Sequence, residues 1–393
     1  MNGKRVFTRT ILLLGFVSLF NDISSEMLYP VMPVYLKSIG YSALWIGILE
    51  GIAEGTAGLS KGYFGRLSDA KGRRMPFVQL GYFLSSFAKS AVILFLNPVW
   101  ILGCKVTDKL GKGIRTGARD AVLSDESTKE NSGRVFGFHR AMDTVGAAIG
   151  PLLALIWLGF HPGSYRILFY VAFIPAIIGV FCTFLVKETR VLQPVKPVKK
   201  KSFLSFFPYW KKSNSAFRKI VGGLFIFALF NSSDVFLLLM AKQHGLNDMQ
   251  VIGVYVFYNL VYAIFSLPFG ILADKWGKKQ CMCIGLIFFV ITYAGMSQQG
   301  GIVSIIVLFF CYGLYAAATD GVSKAWISGL VPKQETGSAL GLLAGCVSLA
   351  AIFASTATGL IWKFGQGQMA LMLTAGVAGL VLVYFMVSVK ENP

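Results

Sequence analysis

The sequence predicts an all-α membrane protein: twelve transmembrane helices in two pseudo-symmetric six-helix bundles. Three observations lead there. Of 393 residues, 55% are hydrophobic and only 14% charged, too little polar surface to cover a soluble globule. The apolar residues fall in runs of about 20, the length that crosses ~30 Å of hydrocarbon as a helix. The second half of the chain also repeats motifs of the first, in the same order.

The first six spans start near Ile11, Ala43, Met75, Pro98, Gly133 and Tyr165, and the second six near Phe217, Gln250, Gln280, Ile302, Ser338 and Met369. The first follows a basic start, "MNGKRVFTRT". No small-residue cleavage site follows a short apolar stretch, and the run continues past Tyr29, so it reads as a retained helix. Basic residues resist translocation. With the N-terminus inside, the inner loops collect Lys4, Arg5, Arg9, Lys71, Arg73, Arg74, Lys129, Arg134, Lys275, Lys278 and Lys279. The outer loops and their margins hold Lys37, Arg166, Lys242 and Lys363. Both termini are expected in the cytoplasm, with the chain in the plasma membrane, the inner membrane of a bacterial cell.

Much of the net charge of +19 lies between Lys187 and Lys219, where ten basic residues face the single acid Glu188. A run such as "KPVKKK" reads as a linker held at an anionic leaflet, with no nucleic-acid partner. It divides the chain into a bundle at 1–186, a linker at 187–217 and a bundle at 218–393. Cys104, Cys182, Cys281, Cys283, Cys311 and Cys346 lie in or beside spans, and His139, His161 and His244 are scattered. None is spaced as a metal or nucleophile motif, so no metal, cofactor or catalytic residue is expected and the chain is not read as an enzyme.

"LFND" at Leu19–Asp22 recurs as "LFNS" at Leu229–Ser232, "GRLSDAKGRR" at Gly65–Arg74 as "GILADKWGKK" at Gly270–Lys279, and "GRVFG" at Gly133 as "GSALG" at Gly337. The offsets are 210, 205 and 204, which argues for duplication of a six-helix unit. Gly65 and Gly270 permit close helix approach, Gly72 and Gly277 permit tight turns, and Asp69 can accept hydrogen bonds from a neighbouring helix N-terminus.

These two loops resemble the GxLxDxxGRR signature of the major facilitator superfamily, and the resemblance covers essentially the whole chain. It implies two bundles related by a pseudo-twofold axis along the membrane normal, and a cytoplasmic gate built on Gly65, Asp69, Gly72 and Arg73, with Gly270, Asp274 and Gly277 as its second copy. In that gate Asp69 contacts the start of the eleventh span and Arg73 meets an acid at the end of the fourth, here Asp125. "GAAIGP" in the fifth span, with Gly146, Gly150 and Pro151, resembles the GxxxGP element of exporters working as antiporters. The arginine near the middle of the fourth span in many antiporters has no clean counterpart in "CKVTDKLGKGIRTGARD", where Lys105 and Lys109 are the candidates to replace it.

Charged residues at membrane depth cost about 2.5–3.5 kcal/mol each on insertion scales and are therefore paired, neutral or in contact with water. Asp22 and Glu26 share a face of the first span, and Glu50 and Glu54 a face of the second. Lys105, Asp108, Lys109 and Lys112 form a stripe on the fourth, and Arg140 and Asp143 lie one turn apart on the fifth. Carboxylates held close and away from water resist carrying two charges, which makes Asp22 and Glu26, then Glu54, candidate proton-coupling groups. Static ion pairing with the lysines is the competing account. In the second half Asp234 stands in "NSSDVF", and Asp320 and Lys324 are placed to pair locally. Phe230, Phe236, Tyr255, Tyr258, Tyr262, Tyr312 and Tyr315 form an aromatic set suited to an amphipathic substrate, or to helix packing.

The expected activity is alternating-access transport of a small amphipathic or anionic organic molecule, coupled to protons and directed outward, by a monomer in the lipid bilayer. The rival is an organic-anion importer or facilitator, which the lysine stripe would serve. Export of a siderophore-type metabolite reconciles the two.

Overall fold

The computed structural model describes residues 7–389 apart from 30, 42, 162, 188–206, 299 and 365. The first half forms α1 (Arg9–Leu28), α2 (Val31–Ser38), α3 (Ala43–Lys71), α4 (Met75–Ala91), α5 (Pro98–Glu126), α6 (Ser132–Phe160) and α7 (Tyr165–Phe184). After α8 (Phe207–Lys212), the second half forms α9 (Ser215–Phe230), α10 (Val235–Gln243), α11 (Asp248–Trp276), α12 (Lys278–Met296), α13 (Ile302–Gly329), α14 (Thr336–Lys363) and α15 (Gly367–Ser388). A single 3₁₀ turn, Lys333–Glu335, precedes α14. Each expected span starts within a few residues of a helix. Most of the basic linker, including "KPVKKK", lies outside the described residues.

The starts have local causes. Thr8 accepts a hydrogen bond from the amide of Ile11, Asn97 caps a helix that opens on Pro98, and Asn214 accepts from Phe217. Asn247 and Gln250 form a reciprocal capping box. Two spans are interrupted. The first ends as α1 at Leu28 and resumes as α2 at Val31. The seventh breaks between α9 and α10 at Asn231–Asp234, four residues whose side chains compete with the helix for backbone hydrogen bonds.

Among the described residues nine helical segments are long and apolar enough to cross a membrane; α3, α4 and α5 are not among them. Helix α4 has 17 residues, and α3 and α5 carry the ionisable side chains that the next section pairs. Large apolar side chains at Tyr170, Ile174, Ile178 and Phe181 on α7, and at Leu373, Leu380 and Val387 on α15, are exposed, as on faces turned to lipid.

The helices divide into two compact units. One contains Met1–Thr128, Met142–Lys211 and Val331–Gly345; the other contains Lys129–Ala141, Lys212–Leu330 and Cys346–Pro393. Each takes the start of one helix, α14 or α6, from the opposite half of the sequence. The first unit has an apolar core around Met27, Leu36, Leu49, Ile101 and Phe169. The core of the second is aromatic, around Tyr258, Phe289, Tyr293, Tyr312 and Tyr315.

Candidate functional site

In the first unit, α3 ends in the loop that the repeat singles out. Asp69 accepts hydrogen bonds from the amides of Gly337 (3.2 Å) and Ser338 (2.6 Å) and from the Ser338 hydroxyl (2.9 Å), so one carboxylate takes up the free donors that open α14. The crossing is close: a Cβ on Gly65 would overlap the carbonyl of Gly337 and lie 3.2 Å from Cα of Gly341. Gly72 turns the chain at φ 64°.

The arginine that meets Asp125 is Arg74, not Arg73. Arg74 is 1% exposed, donates to Asp69 (3.2 Å), Asp125, the Ala121 carbonyl (2.8 Å) and the Lys333 carbonyl (2.5 Å), whereas Arg73 is exposed. Successive residues leave the Gly72 turn in different directions, and only Arg74 is aimed at the end of α5. Lys333 also donates to the carbonyls of Ser124 and Ser127, closing the C-terminus of α5.

The second unit repeats the arrangement. Asp274 accepts from the amides of Gly133 (2.8 Å) and Arg134 (2.9 Å) at the start of α6, with Lys278 at 3.7 Å and Arg134 at 3.9 Å. A Cβ on Gly270 would overlap the Gly133 carbonyl, and Gly277 turns at φ 109°.

The acids of α1 meet α6. Asp22 lies close enough to Asp143, Glu26 and Lys112 to interact with each of them electrostatically. The "GAAIGP" face makes this possible. A Cβ on Gly146 would lie 2.6 Å from the Leu19 carbonyl and 3.1 Å from Cβ of Asp22, and one on Gly150 would lie 2.7 Å from the Ile23 carbonyl. Pro151 lies inside α6, directly after this contact. Glu26 is one turn along α1, with Lys112, Asp143, Lys109 and Lys89 as its charged neighbours.

Helix α5 supplies the cations. Lys109 pairs with Glu54 at 2.5 Å, with Lys112 as a second positive neighbour. The Ser85 hydroxyl donates to Asp108, whose nearest charges are Lys89, Lys109 and Arg115. Lys105 is half-buried on the same helix. The Glu50 side chain lies outside the described residues.

Sequence reading missed Lys89, which is buried on α4 and donates to Ser25 (2.6 Å) and Asn21 (3.5 Å) on α1. Its signal was a single lysine inside "SSFAKSAV". It also missed Arg115 and Arg119. Arg115 lies 4.2 Å over the Tyr82 ring, with Nε and Nη1 buried and without hydrogen-bond partners among the described residues. Arg119 pairs with Asp120 at 3.0 Å.

In the second unit Arg140 pairs with Asp320 at 2.7 Å, and the Tyr262 hydroxyl bridges both. Asp320 therefore has a partner from a distant helix beyond the local lysine expected for it. The Tyr312 hydroxyl donates to Asp234 at 2.6 Å. The six cysteines are free, and no group of three or more metal-binding side chains forms among the described residues.

The chain's similarities follow the same lines. A sequence profile of the Major Facilitator Superfamily matches residues 14–258 and 220–393. An uncharacterised MFS-type transporter of Methanocaldococcus jannaschii is 33% identical over 97% of this chain and 96% of its own length. A homologue of the multidrug resistance efflux pump PmrA from Lactococcus lactis is 24% identical over 80% of this chain and 78% of its own. Among solved structures, the human organic anion transporter MFSD10 superposes with a TM-score of 0.82 at 14% identity, over 96% of this chain and 99% of that one, a likeness of fold.

Proposed function

The chain belongs to the major facilitator superfamily, and from that premise we propose that it is a proton-coupled exporter of a small amphipathic organic molecule. The observation that carries this reading is the clustering of Asp22, Glu26 and Asp143 where α1 crosses α6. Carboxyl groups held this close and away from water resist carrying all their charges at once, so in this reading the pair holds a proton that a coupling cycle releases. Glu26 and Lys112 beside it give the released charge a neighbour on either side. The close α1–α6 approach at Gly146 and Gly150 supports this reading, because a change in helix packing and a change in protonation would then act on the same atoms. The multidrug-efflux name of the Lactococcus relative supports the outward direction.

In this reading 1–186 and 218–393 are the bundles that alternate, joined by 187–217, with both termini in the cytoplasm of a cell whose inner membrane holds the monomer. Asp69 and Asp274 are the groups that let go of α14 and α6 when the cytoplasmic side opens. Glu50, Glu54, Lys105, Asp108, Lys109, Arg140 and Asp234 are the remaining coupling or substrate groups. Organic-anion handling is the second reading, favoured by the guanidinium nitrogens of Arg115 that have no hydrogen-bond partner among the described residues.

The test is transport by proteoliposomes loaded with an amphipathic cationic dye or an organic anion, under an imposed pH gradient. Gradient-driven, protonophore-sensitive movement that is lost in Asp22→Asn and Asp143→Asn supports the proposal. Movement indifferent to the gradient contradicts it, and anion selectivity moves the substrate to the second reading.

A further inference from the structure

We infer that the interruption between α9 and α10 is a binding site for an alkali-metal cation of the size of sodium. Backbone that leaves the helical pattern at membrane depth is tolerated where it is buried in protein or lines a polar site. This break lies inside a segment, Ser215–Gln243, that is otherwise apolar enough to span the bilayer.

Asp234 is the acid of the break, and its obvious structural task is done by another residue. The amide of Val235 donates to the Ser233 hydroxyl at 3.4 Å, while Asp234 makes no capping hydrogen bond and accepts instead from the Tyr312 hydroxyl. No ion pair to Asp234 forms among the described residues. Asp320, by contrast, has Arg140, and Asp274 has Lys278 and Arg134.

Three further oxygens point the same way. Asn231 Oδ1, Ser232 Oγ and the Tyr293 hydroxyl are buried without hydrogen-bond partners, and the residues Ser232 and Tyr293 are 4% and 0% exposed. The Tyr293 hydroxyl lies beside those of Tyr312 and Ser232. Asn231 donates its amide nitrogen to Tyr315 at 3.2 Å, which commits the donor end and leaves the acceptor end unused. The hydroxyls of Ser232 and Tyr293 can accept as well as donate, whereas Asn231 Oδ1 and the Asp234 carboxylate only accept, so the cluster presents buried acceptor lone pairs that a cation can fill.

The donor set identifies the chemistry. It is all oxygen, with no sulfur or imidazole, which suits a hard cation. One carboxylate matches one positive charge. The neighbouring rings are close-packed, with centroids 4.1 Å apart for Phe289 and Tyr293, 4.7 Å for Phe289 and Tyr315, and 4.9 Å for Tyr258 and Tyr312, which leaves a bare ion as the fitting occupant rather than an organic ammonium. The carbonyl end of α9 adds partial negative charge, as the broken helices of other transporters do at their ion sites. The repeat sets "LFNS" here against "LFND" in α1, so corresponding places in the two halves carry different ionic chemistry.

The experiment measures binding of radioactive sodium to the purified full chain in lipid nanodiscs, with choline as the background cation. One saturable site is expected in the wild type, weakened about tenfold or more in Asp234→Asn, as loss of a charged ligand from a buried site requires, and weakened in Ser232→Ala. Should Asp234→Asn fail to fold, Ser232→Ala and Asn231→Ala carry the test. Asp22→Asn is expected to bind sodium as the wild type does, so this inference and the proton-coupling proposal fail separately. Absence of saturable binding, or binding that the Asp234, Ser232 and Asn231 variants leave unchanged, overturns the assignment.

Discussion

Replacing Asp69 by alanine removes the acceptor for two backbone amides and one hydroxyl at the start of α14, and one of the two carboxylates on Arg74. Breaking a buried pair costs ~3–5 kcal/mol when the remaining charge is stranded. Arg74 is not stranded, because Asp125 and the carbonyls of Ala121 and Lys333 still hold it. The loss is then that of charge-assisted hydrogen bonds to buried donors, about 3 kcal/mol together, or roughly two decades in the equilibrium that opens this contact. Hydrogen exchange of the peptide covering 331–345 reads that equilibrium directly, since the Gly337 and Ser338 amides are the donors concerned. In Asp274→Ala two hydrogen bonds from backbone amides are lost beside cations that are more solvated, and the predicted effect on 129–141 is smaller, about 2 kcal/mol or ~thirtyfold. An increase of less than about threefold in 331–345, well under 1 kcal/mol, or a larger effect from Asp274→Ala, would refute the reasoning.

Gly150→Val puts a Cβ 2.7–2.8 Å from backbone atoms of Ile23 and Met27 and is expected to cost about 1–3 kcal/mol, seen as a lower melting temperature in detergent; Gly159→Ala, with open space around it, leaves melting unchanged. Burial and the neighbouring Glu335 raise the Tyr209 hydroxyl above its ordinary pKa of 10.0. The folded chain thus holds that proton more tightly than the unfolded one, so the stabilisation is full below about pH 10 and is lost as pH rises further. The melting difference between wild type and Tyr209→Phe should therefore shrink under alkaline conditions, and a difference that grows would reverse the sign. A double-mutant cycle on Arg140→Gln and Asp320→Asn should give a coupling of only about 1 kcal/mol, because both side chains remain about a third or more accessible.

Much of this architecture was readable from the sequence because membrane crossing demands long apolar runs, and because duplication displays each loop twice. Asp69 and Asp274 were readable for the same reason: the loop length fixes where a carboxylate emerges after a helix. The choice between Arg73 and Arg74 was not, since it depends on the direction in which the chain leaves Gly72 at positive φ. The acids of α1 were visible, but their partner was not. Asp22 and Glu26 sit one turn apart on one helix, while the proximity of Asp143 depends on the α1–α6 approach that Gly146 and Gly150 permit. Lys89 was hidden in an apolar span, and its role exists only through Asn21 and Ser25 on another helix. The ion pair of Asp320 with Arg140, far away in the chain, depends on the fold in a way that the nearby Lys324 does not. The break at Asn231–Asp234 was spelled out by "NSSD", yet apolar flanks made the segment read as one continuous helix.

Proton coupling through the Asp22–Asp143 pair requires that substrate displace a proton from it. The direct measurement is proton release by the purified protein in weakly buffered detergent, on addition of a panel of amphipathic cations and organic anions, in the wild type and in Asp22→Asn with Asp143→Asn. Ligand-dependent release is expected in the wild type and disappears in the double variant while ligand still binds. Ligand binding without proton release in the wild type, or the same release from the double variant, would contradict it.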